Sequence, residues 1–200
     1  MQVEKSNGKN DNLQTRVVIT GASSAGKSAL ISMLRREGFN IFDEASYSLV
    51  LAKRMGKPVP DDAFGFQEAV FKKQVEYFDN AVGYCTFYDR GMLDSLAYMQ
   101  KSSMPWPAEW IDIVNKKRYD VVFWAASDER IFTERNIESP HSYDYHLALG
   151  LEIKKTYELF GYEVLKLPML NIELDIVSST KQRADFVITY LRDNGLLREK

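Results

Sequence analysis

One glycine-rich motif near the amino end constrains this chain more than any other feature. Residues 21–28 read Gly-Ala-Ser-Ser-Ala-Gly-Lys-Ser and match the pattern G-x-x-x-x-G-K-[ST] at every fixed position. The motif follows a β-branched run at 16–20 and precedes the segment 29–34, in which apolar residues recur at helical spacing. Strand, glycine loop and helix form the context in which this motif binds nucleotide phosphates. The sequence therefore predicts a nucleoside triphosphate site.

Each part of this loop has a predicted role. Gly21 and Gly26 let the backbone turn tightly and approach phosphate oxygens. Lys27 is predicted to be an exposed ammonium group that reaches the β and γ phosphates, and Ser28 to place its hydroxyl on Mg²⁺. ATP and Mg²⁺ are thus the expected cofactors. The predicted phosphate-binding residues are the whole loop: Gly21, Ala22, Ser23, Ser24, Ala25, Gly26, Lys27 and Ser28.

Size and composition limit the function classes. The chain has 200 residues, of which 45% are hydrophobic, which suits one domain over residues 15–200 after a flexible polar tail at 1–14. The formal net charge of −2 supplies no basic field for nucleic acid. No segment approaches the ~20 apolar residues that cross a bilayer. Cys85 is the single cysteine, which excludes an internal disulfide and favours a cytoplasmic protein. The oligomeric state is left open.

Apolar and amphipathic segments alternate along the chain. Short apolar runs are predicted as strands at 16–20, 39–43, 84–88, 119–125 and 162–167, and amphipathic segments between them as helices. This order, together with the glycine loop, predicts a three-layer α/β/α P-loop NTPase fold with a five-stranded parallel sheet. Ligands of such sheets bind at the carboxyl ends of the strands.

Polar side chains follow two of the predicted strands at that edge. Asp89 and Arg90 come directly after the third strand. Asp89 is a candidate for holding Mg²⁺ or accepting a bond from a substrate hydroxyl, and Arg90 for pairing with phosphate oxygens. The alternative is a structural ion pair. Glu44, or its neighbour Asp43, is a candidate acceptor for the proton of an attacking hydroxyl, although Glu44 also suits a helix start.

The polar segment at about 128–143 is predicted to be a lid. It contains Arg130 and Arg135, whose guanidinium groups are candidates for stabilising a transferring phosphoryl group. The alternative is that both arginines are solvated charges on a surface helix.

Several segments together resemble the predicted AAA-domain P-loop ATPases and kinases, a family similar to nucleoside and thymidylate kinases. They are the glycine loop, the pair at 44–45, the stretch Tyr-Asp-Arg-Gly-Met-Leu-Asp-Ser-Leu-Ala-Tyr at 88–98, the pair at 134–135 and residues 157–168. The resemblance implies a kinase-like fold with a lid, in which Lys27 and Ser28 contact phosphate and magnesium. It also implies that Glu44 acts as base and Arg135 as the lid arginine.

Two functions fit these observations. The first is an ATP- and Mg²⁺-dependent phosphotransferase acting on a small metabolite such as a nucleoside, nucleotide or cofactor precursor, with Lys27, Glu44, Asp89, Arg90 and the lid arginines as catalytic residues. The second is a nucleotide-binding regulatory ATPase or GTPase that signals to a protein or lipid partner. Guanine-specific proteins carry Asn-Lys-x-Asp, whereas residues 115–118 read Asn-Lys-Lys-Arg and precede their strand. Adenine is therefore favoured.

Overall fold

A computed structural model describes residues 14–129, 132, 141–171, 173 and 175–197 of the chain. The strands are β1 (Thr15–Gly21), β2 (Asn40–Phe42), β3 (Cys85–Asp89), β4 (Val121–Ala125) and β5 (Val164–Lys166). The helices of the described residues are α1 (Lys27–Arg36), α2 (Ala45–Arg54), α3 (Ala63–Asp79), α4 (Met92–Lys101), α5 (Ala108–Lys116), α6 (Tyr143–Leu159) and α7 (Ile176–Asp193).

The five strands form one parallel sheet with the order β2-β3-β1-β4-β5. In this register Val17 is level with Phe87 of β3 and Ile19 with Phe123 of β4. Because β1 lies in the middle, the glycine loop that follows it emerges between the carboxyl ends of β3 and β4. The predicted five-stranded parallel sheet is confirmed.

Side chains of each strand alternate between two apolar layers, as the period of two requires. Val17 and Ile19 of β1 pack in a cluster with residues of α1 and α7. Val18, between them in sequence, packs on the opposite face with residues of α3, α4, α5 and α6. Helices therefore cover both faces of the sheet, which confirms the predicted three-layer α/β/α fold.

Several smaller predictions concern the same fold. Cys85 is a buried free thiol whose pKa burial raises to about 12, so it packs as a small apolar residue. No helix in the described part of the chain is long and apolar enough to cross a membrane. The predicted tail, apart from Gln14, and most of the predicted lid at 128–143 lie outside the described residues.

Candidate active site at the carboxyl edge of the sheet

The glycine loop joins β1 to α1 and requires glycine at both of its fixed positions. Gly21 has φ 128°, and a Cβ there would lie 2.2 Å from the carbonyl oxygen of Ala125 on β4. Gly26 has φ 79°, and its Cβ would lie 2.8 Å from Leu170. Both φ values belong to a region that side-chain-bearing residues rarely adopt. The loop backbone therefore packs tightly against the sheet and the segment after β5.

Lys27 is buried, with 5% of its surface exposed, so the prediction of an exposed lysine is wrong. Its Nζ donates a hydrogen bond to the carbonyl oxygen of Ala22 at 2.5 Å, which folds the side chain back across its own loop. Burial and the nearby positive charge of Arg90 lower the pKa of Lys27 to about 8, although three carboxylates oppose the change. No carboxylate of the described residues lies within salt-bridge distance of this ammonium group, so its burial is not fully compensated.

Arg183 of α7 is hydrogen-bonded to the backbone of the glycine loop. Its Nη1 donates to the carbonyl oxygen of Ala25 at 2.6 Å and its Nε to that of Pro168 at 2.7 Å. The residue is almost fully buried, and burial lowers its pKa to about 10. One side chain thus connects the glycine loop to the segment that follows β5. No motif identifies this residue in the sequence, and it was missed.

Asp89 is the last residue of β3 and faces the glycine loop. The side chain is buried, and its Oδ1 has no hydrogen-bond partner among the described residues. Burial raises the pKa of Asp89 from 3.8 to about 6, even though Lys27 and Arg90 act in the opposite direction. A buried carboxylate oxygen without a donor is costly, and such atoms in native proteins often contact a ligand, ion or water.

Arg90 connects this edge of the sheet to α2 and α4. Its Nη1 donates to the carbonyl oxygen of Gly21 at 2.8 Å and to Asp94 Oδ1 at 3.2 Å, and its Nε donates to Glu44 Oε1 at 3.0 Å. The residue has φ 71°, an unfavourable value for an arginine, which the surrounding contacts maintain. Its ion-pair partners are Glu44 and Asp94, and not Asp89, the partner in the ion pair considered from the sequence. Arg90 also lies beside the phosphate loop.

Asp94, in the first turn of α4, organises the residues around Arg90. Its Oδ1 accepts from Thr20 Oγ1 at 2.6 Å as well as from Arg90, and its Oδ2 accepts from the backbone N–H of Gly91 at 3.1 Å and from the Tyr157 hydroxyl at 2.8 Å. The side chain is fully buried with both oxygens bonded. Sequence reasoning missed it, although a carboxylate in a first helical turn is a usable signal.

Glu44 follows β2 by two residues and occupies the N-cap position of α2, where its side chain makes no capping hydrogen bond. Its Oε1 accepts from Arg90 and from Ser46 Oγ at 2.6 Å, whereas no described residue donates to Oε2. Burial would raise its pKa, but Arg90 and the Ser46 hydrogen bond outweigh that effect and lower it to about 2. The rival Asp43 pairs with Arg35 at 2.6 Å and is largely exposed.

Two cavities meet at Glu44. The first, which we name the α1 cavity, has a volume of about 480 Å³ and is lined by residues that include Ser28, Ser32, Asp43, Glu44, Tyr47 and Asp89. The second, the α3 cavity, has a volume of about 290 Å³ and is lined by residues that include Glu44, Phe66, Gln74, Arg90, Ser95 and Tyr98. One carboxylate therefore faces the phosphate loop on one side and a small-molecule-sized space on the other.

The described residues contain no cluster of three or more His, Cys, Asp or Glu side chains that would hold a metal by itself. Ser28 and Asp89 nevertheless line the same cavity, and Asp89 Oδ1 lacks a donor. Oxygen groups of this kind fit Mg²⁺, which usually keeps several waters and shares its coordination with phosphates. The two residues predicted from the sequence as metal-linked therefore fit a Mg²⁺ bound together with a nucleotide.

The structure brings most of the predicted site residues together. Lys27, Glu44, Asp89 and Arg90 meet at one edge of the sheet, whereas Arg130 and Arg135 lie outside the described residues. Of the aromatic residues, Phe66 lines the α3 cavity, while Trp110 is buried and stacks on Phe71 at 4.1 Å between ring centres. Gln74 and Ser95, which sequence reasoning missed, also line this cavity, and Ser95 Oγ donates a hydrogen bond to Gln74 Oε1 at 3.1 Å.

Comparison with known proteins agrees with this geometry. A family model described as AAA domain matches residues 16–173. A search of curated proteins finds no match. Among solved structures, deoxyadenosine kinase from M. mycoides with dCMP and dCDP matches with a TM-score of 0.63 and 16% identity, over 90% of this chain and 100% of that chain.

Two other kinds of solved structure also match. Shikimate kinase from Aquifex aeolicus has a TM-score of 0.53 and 17% identity over 91% of this chain and 99% of that chain. The NadR protein in complex with NAD and AMP-PNP has a TM-score of 0.60 and 13% identity over 94% of this chain and 51% of that chain. At such identities the likeness concerns the fold. The extent of the family match shows that the chain belongs to the AAA-domain family of P-loop proteins, with a kinase-like fold.

Proposed function

We propose that this protein transfers the γ-phosphoryl group of ATP, in the presence of Mg²⁺, to a hydroxyl group of a small metabolite such as a nucleoside, nucleotide or cofactor precursor. One observation carries the proposal: Glu44 lines both the cavity beside the glycine loop and the separate α3 cavity. A phosphotransferase needs a donor site and an acceptor site that share a polar group at their boundary. A protein that only binds and hydrolyses a nucleotide does not require a second cavity of this kind.

On the donor side, the backbone N–H groups of residues 21–28 and the amino end of α1 would bind the phosphates. Lys27 Nζ would exchange the Ala22 carbonyl for phosphate oxygens, which offer it negative charge that the present contact lacks. Ser28 and Asp89 would hold Mg²⁺, Asp89 through water. When bound, the ion neutralises charge on the phosphates.

On the acceptor side, the free Oε2 of Glu44 would accept a hydrogen bond from the acceptor hydroxyl and direct its oxygen toward the phosphoryl group. A carboxylate with a pKa of about 2 is a weak base. Orientation is therefore its main contribution, which is sufficient because a loose phosphoryl-transfer transition state depends mostly on positioning and charge stabilisation. Arg90, whose Nη2 has no described acceptor, is placed to stabilise that charge.

The remaining parts of the proposal concern the whole chain. Residues 15–200 would form a single cytoplasmic domain, with the segment at 128–143 as a lid that excludes water. Arg130 and Arg135 would reach the transferring group from this lid. Family membership supports the proposal, as do structural matches to proteins named as kinases, including one with bound dATP.

The test is ADP formation from ATP and Mg²⁺ with and without a metabolite panel that includes nucleosides, nucleotides and cofactor precursors. Acceptor-dependent ADP formation, with the phosphorylated acceptor identified by mass spectrometry, is the expected result. Slow hydrolysis that no metabolite accelerates would replace the phosphotransferase with a regulatory nucleotide-binding protein.

A further inference from the structure

The charged groups that line the α3 cavity carry a net negative charge. Among residues that the structure places there, the charged side chains are Glu44, Asp94 and Arg90, which means two carboxylates against one guanidinium. Glu44 keeps its charge at neutral pH, because Arg90 and Ser46 stabilise the carboxylate and its pKa is about 2. An anion that entered this space would face the Glu44 carboxylate, whose Oε2 accepts no hydrogen bond from a described residue.

Arg90, the cation of this lining, is already neutralised. It contacts Glu44 Oε1 at 3.0 Å and Asp94 Oδ1 at 3.2 Å and also donates to the Gly21 carbonyl oxygen. The guanidinium is nearly fully buried, and its two carboxylate partners hold it in place. Nε and Nη1 of Arg90 are occupied by these partners, so an acceptor phosphate or carboxylate could bind only Nη2, beside two carboxylates that already balance the charge of the guanidinium.

The other polar groups of the α3 cavity are neutral. Ser46, Gln67, Gln74, Ser95 and Tyr98 offer hydroxyl or amide groups, and Val50, Phe66 and Val70 supply apolar surface. Ser95 Oγ donates to Gln74 Oε1 at 3.1 Å, which fixes the amide so that its Nε2 is a donor that no described residue uses. These groups suit a molecule that exchanges ordinary hydrogen bonds and carries no negative charge.

From this lining we infer that the phosphoryl acceptor is a hydroxyl compound without an anionic group, of the nucleoside kind and not a nucleotide or a carboxylate. The inference rests on the proposed function, and it narrows that function to one class of acceptor. Like-charge contacts in a desolvated site are strongly unfavourable, so the neutral member of a matched pair should be preferred at least about 100-fold in kcat/KM.

The experiment uses the full chain with Mg²⁺ and two kinds of matched probe. One set pairs nucleosides with their 5′-monophosphates, and the other pairs shikimate with its methyl ester. Acceptor-dependent ADP formation is measured with ATP, and binding is measured by calorimetry with the non-hydrolysable analogue AMP-PNP present. We expect binding and turnover of neutral members, with anionic members at least about 100-fold weaker in both. Binding of no probe would overturn the inference.

A charge-neutralising pair of variants tests the physical cause. Glu44→Gln makes the lining electrically neutral, with one carboxylate against one guanidinium, so the dissociation constant of a monophosphate should fall at least tenfold, while that of its nucleoside should stay equal or rise. Glu68→Gln is the matched control, because Glu68 pairs with Lys72 at 3.0 Å and does not line the cavity. Both dissociation constants should match the unmodified protein in this control. A monophosphate affinity that does not respond to Glu44→Gln would overturn the inference.

Failure of the inference is distinguishable from failure of the proposed function. Efficient phosphorylation of a monophosphate or of shikimate by the unmodified protein would overturn the inference and leave the phosphotransferase in place. Selective binding of neutral probes without any acceptor-dependent ADP would support the inferred selectivity of the cavity and overturn the phosphotransferase.

Discussion

Asp89 and Asp94 lie on either side of Arg90 in sequence and are both buried, yet their surroundings are opposite. Both oxygens of Asp94 accept two hydrogen bonds each, from Thr20, Arg90, Gly91 and Tyr157. Oδ1 of Asp89 has no partner in the described part of the chain. A fully bonded carboxylate stabilises one arrangement of its neighbours, whereas an unsatisfied one is available to a ligand. The site thus contains two kinds of residue: positioning groups such as Asp94, which hold their neighbours in place, and binding groups such as Asp89, which are available to a ligand.

The two cations nearest these aspartates follow the same division. Arg90 bonds three acceptors, and the charges around it hold its pKa well above the usual value despite burial. Lys27 bonds one carbonyl oxygen in its own loop, and its pKa is lowered to about 8. Burial is therefore poorly compensated at Lys27 and Asp89, whereas hydrogen bonds and opposite charges compensate it at Arg90 and Asp94.

Lys27→Met should have the largest effect on function. The ammonium group is the charge that the glycine loop brings to the phosphates, so we expect turnover to fall roughly 10³-fold, as when a preorganised charge-stabilising donor is removed. Methionine retains an unbranched apolar side chain of similar length. Because burial penalises the charged lysine, thermal unfolding should stay unchanged or move to higher temperature.

The control for this prediction is Lys116→Met, at the exposed end of α5. It should alter neither ADP formation nor the unfolding temperature. If Lys27→Met kept more than a tenth of the activity, or unfolded the protein, the assignment of Lys27 to the binding groups would be wrong.

Asp94→Asn should have the largest effect on stability. The amide replaces one acceptor oxygen with an NH₂ group, which faces either the donors from Thr20 and Arg90 or those from Gly91 and Tyr157. In both cases a buried network loses bonds and gains a clash of donors. We expect the free energy of unfolding in urea to fall by about 3 kcal/mol. Asp112→Asn, on an exposed position of α5, is the control. An unchanged urea midpoint in Asp94→Asn would place Asp94 outside the positioning groups.

Some of the site residues could be predicted from the sequence and others could not, and the difference has a physical cause. The glycine loop is contiguous, because phosphate oxygens bind consecutive backbone N–H groups, and its strand and helix neighbours are visible as apolar periodicity. The parallel arrangement of five strands was likewise predictable, since strands that alternate with helices favour a parallel sheet, whereas the strand order came from the structure. Asp89, Arg90 and Glu44 were found because each follows a strand at the ligand-binding edge.

The residues that were missed act through contacts between distant parts of the chain. Asp94 meets Thr20 and Tyr157 across 74 and 63 positions, and Arg183 meets Ala25 across 158 positions. No local pattern records such pairings, because they depend on how whole helices pack on the sheet. The burial of Lys27 escaped prediction for the same reason, since the charged groups around its ammonium, Glu44, Asp89, Arg90 and Asp94, come from other parts of the chain.

Asp89→Asn should separate binding from stability. Turnover should fall roughly 10- to 100-fold if Asp89 holds Mg²⁺ through water. Stability should change in the opposite direction. The pKa of about 6 in the folded protein exceeds the usual 3.8, so the ionised carboxylate costs stability above pH 6, and this cost disappears below the unfolded pKa. At pH 8 the variant should therefore be more stable by about 2 kcal/mol, and near pH 3.5 the two proteins should be equal.

Asp43→Asn is the matched control, because Asp43 lines the same cavity but pairs with Arg35 at its exposed end. It should leave turnover within twofold. A greater loss in Asp43→Asn than in Asp89→Asn would reverse the two assignments.

The pH dependence of kcat/KM for ATP tests both binding groups at once, because this parameter reports ionisations of the free enzyme. Activity should rise as Asp89 ionises near pH 6 and decline as Lys27 loses its proton near pH 8. In Asp89→Asn the acidic limb should disappear and the basic limb should remain. An acidic limb near pH 6 that persists in this variant would have to come from another group.

Arg183→Met should have the smallest effect on activity and stability. It tests the distinction between positioning and binding groups, because Arg183 is a positioning residue that holds the phosphate-binding loop. The substitution leaves the carbonyl oxygens of Ala25 and Pro168 without their buried donor. We expect the free energy of unfolding to fall by about 1 to 2 kcal/mol. The dissociation constant for AMP-PNP should rise roughly fivefold, because the glycine loop is less restrained. Arg192→Met, on an exposed position of α7, should change neither quantity.

In Arg183→Met the KM for the acceptor should also stay constant, because Arg183 does not line the α3 cavity. If acceptor KM changed while nucleotide affinity did not, Arg183 would act on the acceptor side, and the division between the two regions would not hold.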